Sequence, residues 1–138
     1  MSAFFWAVLT ACLWGAVPVM EKMGLAKTQP FTALFYRSLG VVLGFLILGF
    51  FIVKPGEIRS VEPRSAALLI LAGFVASFLA QIAFYHALRA GDVSRVVPVA
   101  GAYPLIAFIL GVALLGENIT LSKAAGMFFV ICGAWLLK

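Results

Sequence analysis

Long apolar segments alternate with short charged ones along this chain. Runs without a charged residue cover 1–20, 38–53, 65–88 and 96–116, and a shorter run covers 124–137. A bilayer core of about 30 Å needs roughly 20 helical residues, and a backbone in lipid must satisfy its own hydrogen bonds. The pattern therefore predicts five transmembrane helices in an all-α, polytopic membrane protein.

Prolines, glycines and charges set the ends of the predicted helices. Pro30 suits the first turn of a helix, and Gly91-Asp92 breaks the chain before the fourth apolar run. The fifth helix reaches spanning length only if Lys123 snorkels to the interface. We predict one domain over 1–138 with helices at about 3–24, 31–53, 65–89, 95–115 and 121–137.

Composition agrees with a membrane protein. The chain is 64% hydrophobic and 11% charged, with a mean hydropathy of +1.15, whereas a soluble domain carries about 25% charged residues. The net charge of +5 comes from Lys and Arg scattered among loops and helix ends, which is typical of membrane anchoring and not of a nucleic-acid partner. Cys12 and Cys132 have neither disulfide nor metal spacing, so we expect no metal. We also expect no cofactor and, from the scattered charges, no nucleic-acid partner.

Five crossings would leave the two termini on opposite sides of the bilayer. One side would carry four cations, Lys54, Arg59, Arg64 and Lys123, and the other five, Lys22, Lys27, Arg89, Arg95 and Lys138, with Arg37 as a sixth. This bias is too small to select one orientation. Two chains inserted in opposite orientations would reproduce the inverted repeat of many secondary transporters. Dual or single topology, and homodimer or heterodimer, both stay open.

Three ordered patterns carry a resemblance to a known family. The first predicted helix reads WGAVPVMEKMGL at 14–25, followed by Pro30 and Arg37. The second pattern lies around the junction of the third and fourth helices and consists of FYHALR, VVPV and YPL. The third is LLGENIT at the exit of the fourth helix, followed by Gly126 and Gly133 in the fifth. Together they resemble one EamA domain of the drug/metabolite transporter superfamily.

That resemblance implies an arrangement and an activity. Larger members carry two such domains in one chain, with ten helices in inverted halves, and export metabolites such as amino acids from the cytoplasm. For this chain it implies a half-size transporter in a prokaryotic plasma membrane that pairs as an antiparallel homodimer. The chain differs from the four-helix small multidrug resistance proteins, whose first helix has an embedded Glu, because no acidic residue precedes Glu21 here.

Prolines inside the predicted helices mark a candidate substrate pathway. Pro18 in the first helix, and Pro98 and Pro104 in the fourth, each remove a backbone donor. Carbonyls freed at membrane depth must face protein or water, so interrupted helices often mark a transport site. The alternative is that these prolines only bend helices for packing.

The third predicted helix has a polar or small residue at every fourth position, namely Gly73, Ser77, Gln81 and Tyr85. This stripe should face the bundle interior. With Trp14 and Tyr103 it would line a cavity suited to amphiphilic or aromatic solutes. Alternatively, Gln81 only makes an interhelical hydrogen bond.

Charged residues near the helix ends are coupling candidates. Arg37 lies about two turns into the second helix, where an unpaired charge costs about 2.5–3.5 kcal/mol. Glu21, beside Lys22, is near enough in sequence to pair with Arg37 as a structural or gating pair, while interfacial snorkelling and substrate contact are the alternatives. His86 is either a proton relay or an inert interfacial residue. Glu117 either caps the fifth helix or takes part in coupling.

Small residues predict close helix contacts. Gly40 and Gly44 form a Gly-x-x-x-Gly pair, Ala107 and Gly111 make a similar surface, and Gly126 and Gly133 lie two turns apart. These contacts can lie within one chain or between chains.

These features favour a secondary transporter for a small-molecule substrate. The nucleotide-binding pattern Gly-x-x-x-x-Gly-Lys-Ser/Thr is absent, and no catalytic cluster is present in the sequence, so we expect no enzyme and no catalytic residue. We predict export of small metabolites, amino acids or amphiphilic compounds by alternating access. The alternatives are a non-transporting accessory or scaffold protein, and one half of a hetero-oligomeric transporter.

Overall fold

The first half of the chain forms two long apolar helices. A computed structural model describes residues 3–137. Helix α1 spans Ala3–Leu25, and α2 spans Pro30–Gly44 and continues through a π-helical turn at Phe45–Gly49 into α3 at Phe50–Ile52. The second predicted helix, 31–53, is therefore interrupted by a π-turn, which widens the helix locally.

The remaining helices follow after a short helical loop, α4 at Pro55–Arg59. The third long segment consists of α5, a second π-helical turn and α6, and the fourth and fifth consist of α7, α8 and α9. Their bounds are Pro63–Phe74, Val75–Leu79, Ala80–Ala90, Val93–Ala100, Tyr103–Leu115 and Leu121–Leu136. Every regular element within residues 3–137 is helical, which confirms the predicted all-α class.

Four segments are long and apolar enough to cross a bilayer, namely Phe4–Leu25, Pro30–Gly49, Pro63–Ala90 and Val93–Leu115. Leu121–Leu136 is apolar but shorter. The chain is therefore a polytopic membrane protein. The crossing of its fifth helix stays a prediction.

Prolines begin several helices, because a missing N–H costs nothing in a first turn. Pro30, Pro55 and Pro63 occupy the first turns of α2, α4 and α5. The helix α4 was not predicted. Pro55 both ends the preceding helix and begins the next one, whereas the sequence pattern around it indicated only an end.

The two proline-bearing segments behave differently. Helix α1 continues through Pro18 to Leu25, in agreement with the predicted range of about 3–24, so the missing donor at Pro18 does not end the helix. One missing donor leaves the bonds on either side of it in place. The fourth segment is interrupted, because α7 ends at Ala100 and α8 begins at Tyr103.

The described chain divides into two compact units. Met20–Arg89 is called the central unit here, and Met1–Val19 together with Ala90–Lys138 the terminal unit. Among residues 3–137, the buried apolar side chains are Leu25, Leu34, Tyr85 and Leu88. All four belong to the central unit, while the terminal unit contributes the buried Pro18, so most of the packed core of the monomer lies in the central unit.

In the terminal unit, α7 and α8 both pack against α9. Helix α8 ends at Leu115 and is followed by Gly116, whose φ of 67° is the left-handed conformation that favours glycine. Helix α9 begins after Thr120, whose side chain accepts a hydrogen bond from the Lys123 N–H at 3.3 Å. The connection between α8 and α9 is therefore set by a glycine stop and a threonine cap.

Candidate functional site

The Glu21 carboxylate is the centre of a polar cluster in the central unit. Three donors converge on its Oε1 atom: Gln81 Nε2 at 2.8 Å, the Tyr85 hydroxyl at 3.0 Å and Arg37 Nε at 3.2 Å. Glu21, Arg37, Gln81 and Tyr85 are called the Glu21 cluster here. It joins three helices, α1, α2 and α6, through a single oxygen atom.

Local structure explains why these side chains meet. A short connection between α1 and α2 makes these helices antiparallel neighbours, which places the end of α1 beside the start of α2. In α6, Gln81 and Tyr85 are four residues apart, so both project from one helix face. The predicted approach of Glu21 to Arg37 is therefore present, and two hydrogen-bond donors join it.

Each of these three helices also has a buried leucine. It lies about one turn from a cluster residue, in the direction of the nearer end of the helix. The leucines are Leu25 in α1, Leu34 in α2 and Leu88 in α6, exposed by 3%, 2% and 0%. Each of the three helices thus carries a buried leucine between its cluster residue and its nearest end.

The ion pair in the cluster is largely withdrawn from solvent. The Glu21 side chain is 10% exposed and that of Arg37 is 32% exposed. A charge at such depth is costly unless it is paired and hydrogen-bonded. Within residues 3–137 no buried side-chain nitrogen or oxygen lacks a partner, so the cluster meets this requirement.

Two further bonds hold the outer ends of these helices together. Lys22 Nζ donates to the Leu88 carbonyl, which links α1 to α6. Arg89 Nη1 donates to Gln29 Oε1 at 2.6 Å, which links α6 to the connection before α2. Lys22 therefore has a structural contact, and its predicted part in coupling stays a prediction.

A pocket of about 280 Å³ opens beside the cluster. It is lined by Glu21, Gly24, Thr28, Ala33, Tyr36 and Tyr85, all in the central unit. Gly24 has no side chain and Ala33 only a methyl group, so both leave space, while the other four lining residues carry a carboxylate and three hydroxyl groups. Its volume is near the lower end of ligand pockets, which start at about 300 Å³.

Sequence reasoning missed four of these lining residues, Gly24, Thr28, Ala33 and Tyr36. Three signals in the sequence could have found them. Gly24 is one turn from Glu21 and therefore on the same face of α1, and Tyr36 is the polar neighbour of Arg37 in an apolar run. The short connection around Thr28 also had to lie near both helices.

Other predicted pathway residues lie outside the cluster. Trp14 and Tyr103, in the terminal unit, are 63% and 58% exposed. Pro18 is buried, Pro104 is half-buried and Pro98 is exposed. Their part in a substrate pathway stays a prediction.

Two polar residues of the third segment also lie outside it. Ser77 is exposed within the π-turn Val75–Leu79, and its part in a substrate pathway stays a prediction. His86 is exposed, beside the buried Tyr85, and a proton relay through it stays a prediction.

The glycines predicted to mediate close helix contacts differ from one another. A Cβ atom built on Gly40, Gly44, Gly126 or Gly133 meets nothing within 4 Å, whereas one on Gly111 lies 3.4 Å from the Glu117 carboxyl group. Within the described residues, Gly111 is thus packed by a loop side chain, and the other four glycines face open space. Contacts between chains at those glycines stay a prediction.

Glu117 forms a second ion pair, in the terminal unit. Its Oε2 lies 3.2 Å from Lys123 Nζ, and the two side chains are 50% and 43% exposed. Thr120 is the residue whose side chain caps α9, so the interpretation of Glu117 as that cap is wrong. The Thr120 hydroxyl accepts the backbone N–H of Lys123, while Glu117 pairs with the ammonium group of the same residue.

The fold and the cluster define a helical membrane protein with a polar site on three of its helices. The EamA-like transporter family matches residues 1–138. An "Uncharacterized transporter in cobO 3'region" from Sinorhizobium sp is 32% identical over 136 residues, covering 96% of this chain and 94% of that protein. The chain belongs to the EamA-like transporter family and is an integral membrane transporter.

A second relative is longer. An "Uncharacterized transporter" from Archaeoglobus fulgidus is 22% identical over 130 residues, which are 94% of this chain and 46% of that protein. The chain thus spans about half the length of this archaeal relative. No solved structure matches the chain significantly.

Proposed function

We propose that the chain is a secondary transporter of a prokaryotic plasma membrane that exports small metabolites, amino acids or amphiphilic compounds by alternating access. The Glu21 cluster and its pocket carry this proposal. A carboxylate beside a pocket of about 280 Å³ lies within a chain that is 64% hydrophobic. Ionisable groups inside membrane helices are costly and commonly mark substrate or ion pathways.

We further propose that two chains assemble as an antiparallel homodimer. Three observations support this assembly. The Sinorhizobium relative is aligned over 94% of its own length and the archaeal one over 46%, so relatives of about the length of this chain and of about twice that length both occur. Lys and Arg are nearly balanced between the two predicted faces. Four glycines face open space where a second helix can approach.

In such a dimer the Glu21 cluster acts as a gate. It lies about one to three turns from the ends of its helices, close to one membrane face, and a buried leucine lies nearer the end of each helix. An inverted partner carries the same cluster near the opposite face. Opening one face breaks bonds on Oε1 of one Glu21, while the cluster of the partner keeps the other face closed.

Reconstitution tests the transport proposal. Purified protein in liposomes should move at least one solute from a panel of amino acids, amines, nucleosides and quaternary ammonium compounds, relative to empty vesicles. If no solute moves, the accessory or scaffold function replaces transport. If a sister chain co-purifies from the native host and restores movement, the chain is one half of a hetero-oligomer.

Topology tests the homodimer separately. After Cys12 and Cys132 are replaced by alanine, a cysteine introduced at the C-terminus should react with a membrane-impermeant reagent from both sides in comparable amounts. A single orientation in all molecules would exclude the antiparallel homodimer and leave the transport proposal standing.

A further inference from the structure

We infer that the pocket beside Glu21 binds a small primary amine that carries no carboxylate. The inference rests on the proposed function and names a substrate class for the same site. It depends on the charge of the lining, on the hydrogen-bonding groups that the lining residues carry, and on the pocket volume.

The charge of the lining selects a cation. Among the six lining residues Glu21 is the only one with a charged side chain. All three bonds of the cluster use Glu21 Oε1, and Oε2 takes part in none of them. A carboxylate has acceptor sites on both oxygens, so the second oxygen can accept from a ligand in the pocket. An amino acid would bring its own carboxylate beside that of Glu21, and the nearest cation, Arg37, is already paired with Glu21 and is not among the lining residues.

The hydroxyl groups select a cation with N–H donors. Thr28, Tyr36 and Tyr85 line the pocket, and each hydroxyl oxygen has acceptor lone pairs. Tyr85 gives its proton to Glu21, so toward a ligand its oxygen acts as an acceptor. A primary ammonium group has three donors and no acceptor, which matches this set. A quaternary ammonium ion has no donor and leaves the same acceptors desolvated and unpaired.

The volume selects a small solute. A pocket of about 280 Å³ is near the lower end for ligand sites, and the space depends on Gly24 and Ala33. A short alkyl amine fits such a volume, whereas large amphiphilic drugs do not.

Direct binding tests the inference without any transport step. The probe is n-butylamine at pH 7, titrated by calorimetry into the purified protein in lipid nanodiscs. The comparison ligands are 1-butanol, butyltrimethylammonium and norleucine. We expect saturable binding of n-butylamine at least about 10-fold tighter than each comparison ligand. Equal affinity for the amine and the alcohol would overturn the inference.

Variants assign the binding to the pocket. Glu21→Gln should weaken n-butylamine binding at least about 10-fold, whereas Glu117→Gln, the matched change in the exposed ion pair, should leave it unchanged. Tyr36→Phe and Thr28→Val remove lining hydroxyls and leave the bonds of the Glu21 cluster in place, and each should weaken binding about 5-fold. These two variants decide the test if Glu21→Gln does not fold. Wild-type affinity in both would overturn the assigned site.

This inference and the proposed function fail in different ways. Vesicles that transport other solutes, with no binding of n-butylamine, would reject the amine site and keep the transporter. Saturable amine binding that depends on Glu21, with no solute moved in liposomes, would keep the site and reject transport.

Discussion

The molecule contains two glutamate–cation pairs of equal length in different surroundings. Glu21–Arg37 in the central unit and Glu117–Lys123 in the terminal unit both measure 3.2 Å. The Glu21 side chain is 10% exposed and that of Glu117 is 50% exposed. Glu21 also accepts from two side chains of α6, whereas Lys123 divides its ammonium group between Glu117 and the Asn118 carbonyl.

The comparison shows that distance alone does not rank ion pairs. The pair at Glu117 joins residues six positions apart and is about half exposed, and exposed pairs contribute about 0–1 kcal/mol. The pair at Glu21 joins α1 to α2 beside the buried Leu25 and Leu34, and removing one partner there leaves the other charge without compensation. A charge that is largely removed from solvent is costly to fold, and the position of Glu21 beside a pocket is the basis on which we propose a role in transport for it.

The largest expected effect is on stability. Glu21→Ala should lower the free energy of unfolding by about 3 kcal/mol, because Arg37 loses its counter-charge in a largely apolar environment. Glu117→Ala, the matched control, should lower it by at most about 1 kcal/mol. Denaturation of the purified variants in mixed detergent micelles measures both. Equal losses would remove the distinction between the two pairs.

A smaller effect is expected when one donor is removed. Tyr85→Phe should cost about 1.5–2 kcal/mol, because the hydroxyl donates to a charged acceptor. In a Glu21→Ala background the same change should cost much less, since its acceptor is gone. A double-mutant cycle measures this coupling. Additive losses would show that Tyr85 acts through ring packing alone.

The sequence predicted the helices and part of the site for clear physical reasons. Uncharged runs of spanning length leave few alternatives in lipid, and so the long helices lie close to their predicted ranges. Arg37 in an apolar run needed a partner, and Glu21 was close in sequence. Gln81 and Tyr85 stood out because they are polar in an apolar helix.

Other features depended on geometry that one sequence does not reveal. Pro18 lies within a continuous helix, while the break after Pro98 falls at Gly101-Ala102, and proline alone does not distinguish these outcomes. The two π-turns, Phe45–Gly49 and Val75–Leu79, lie inside uncharged apolar runs that gave no signal for them. Three donors share one oxygen of Glu21 because of the way α1, α2 and α6 pack together. The spacing of residues along the sequence does not specify that packing.

The terminal unit offers a local comparison with the central one. Thr120→Ala removes the side-chain cap of α9 and should cost about 1 kcal/mol. Thr120→Ser, which keeps the hydroxyl, should be nearly neutral. Thermal denaturation of both variants provides the measurement. A Thr120→Ala loss as large as that of Glu21→Ala would contradict the view that the central unit contributes most to stability.

The smallest expected effect is that of salt. Raising NaCl from about 0.05 M to 1 M should reduce the already small contribution of the exposed Glu117–Lys123 pair by a few tenths of a kcal/mol. The contribution of Glu21–Arg37 should stay nearly unchanged, because screening acts mainly on solvent-exposed charges. To measure these contributions, the unfolding free energies of wild type and of each alanine variant are compared at both salt concentrations. Similar salt sensitivity at both pairs would mean that water reaches the Glu21 cluster freely.

Solute flux through the matched pair of glutamine variants tests the central claim most directly. For a solute that the wild-type protein moves in liposomes, Glu21→Gln should lower the flux at least about 10-fold at unchanged protein and dimer content, while Glu117→Gln should stay within about 2-fold of wild type. Wild-type flux in the Glu21→Gln vesicles, or equal loss in both variants, would contradict the assignment of the Glu21 cluster as the transport site.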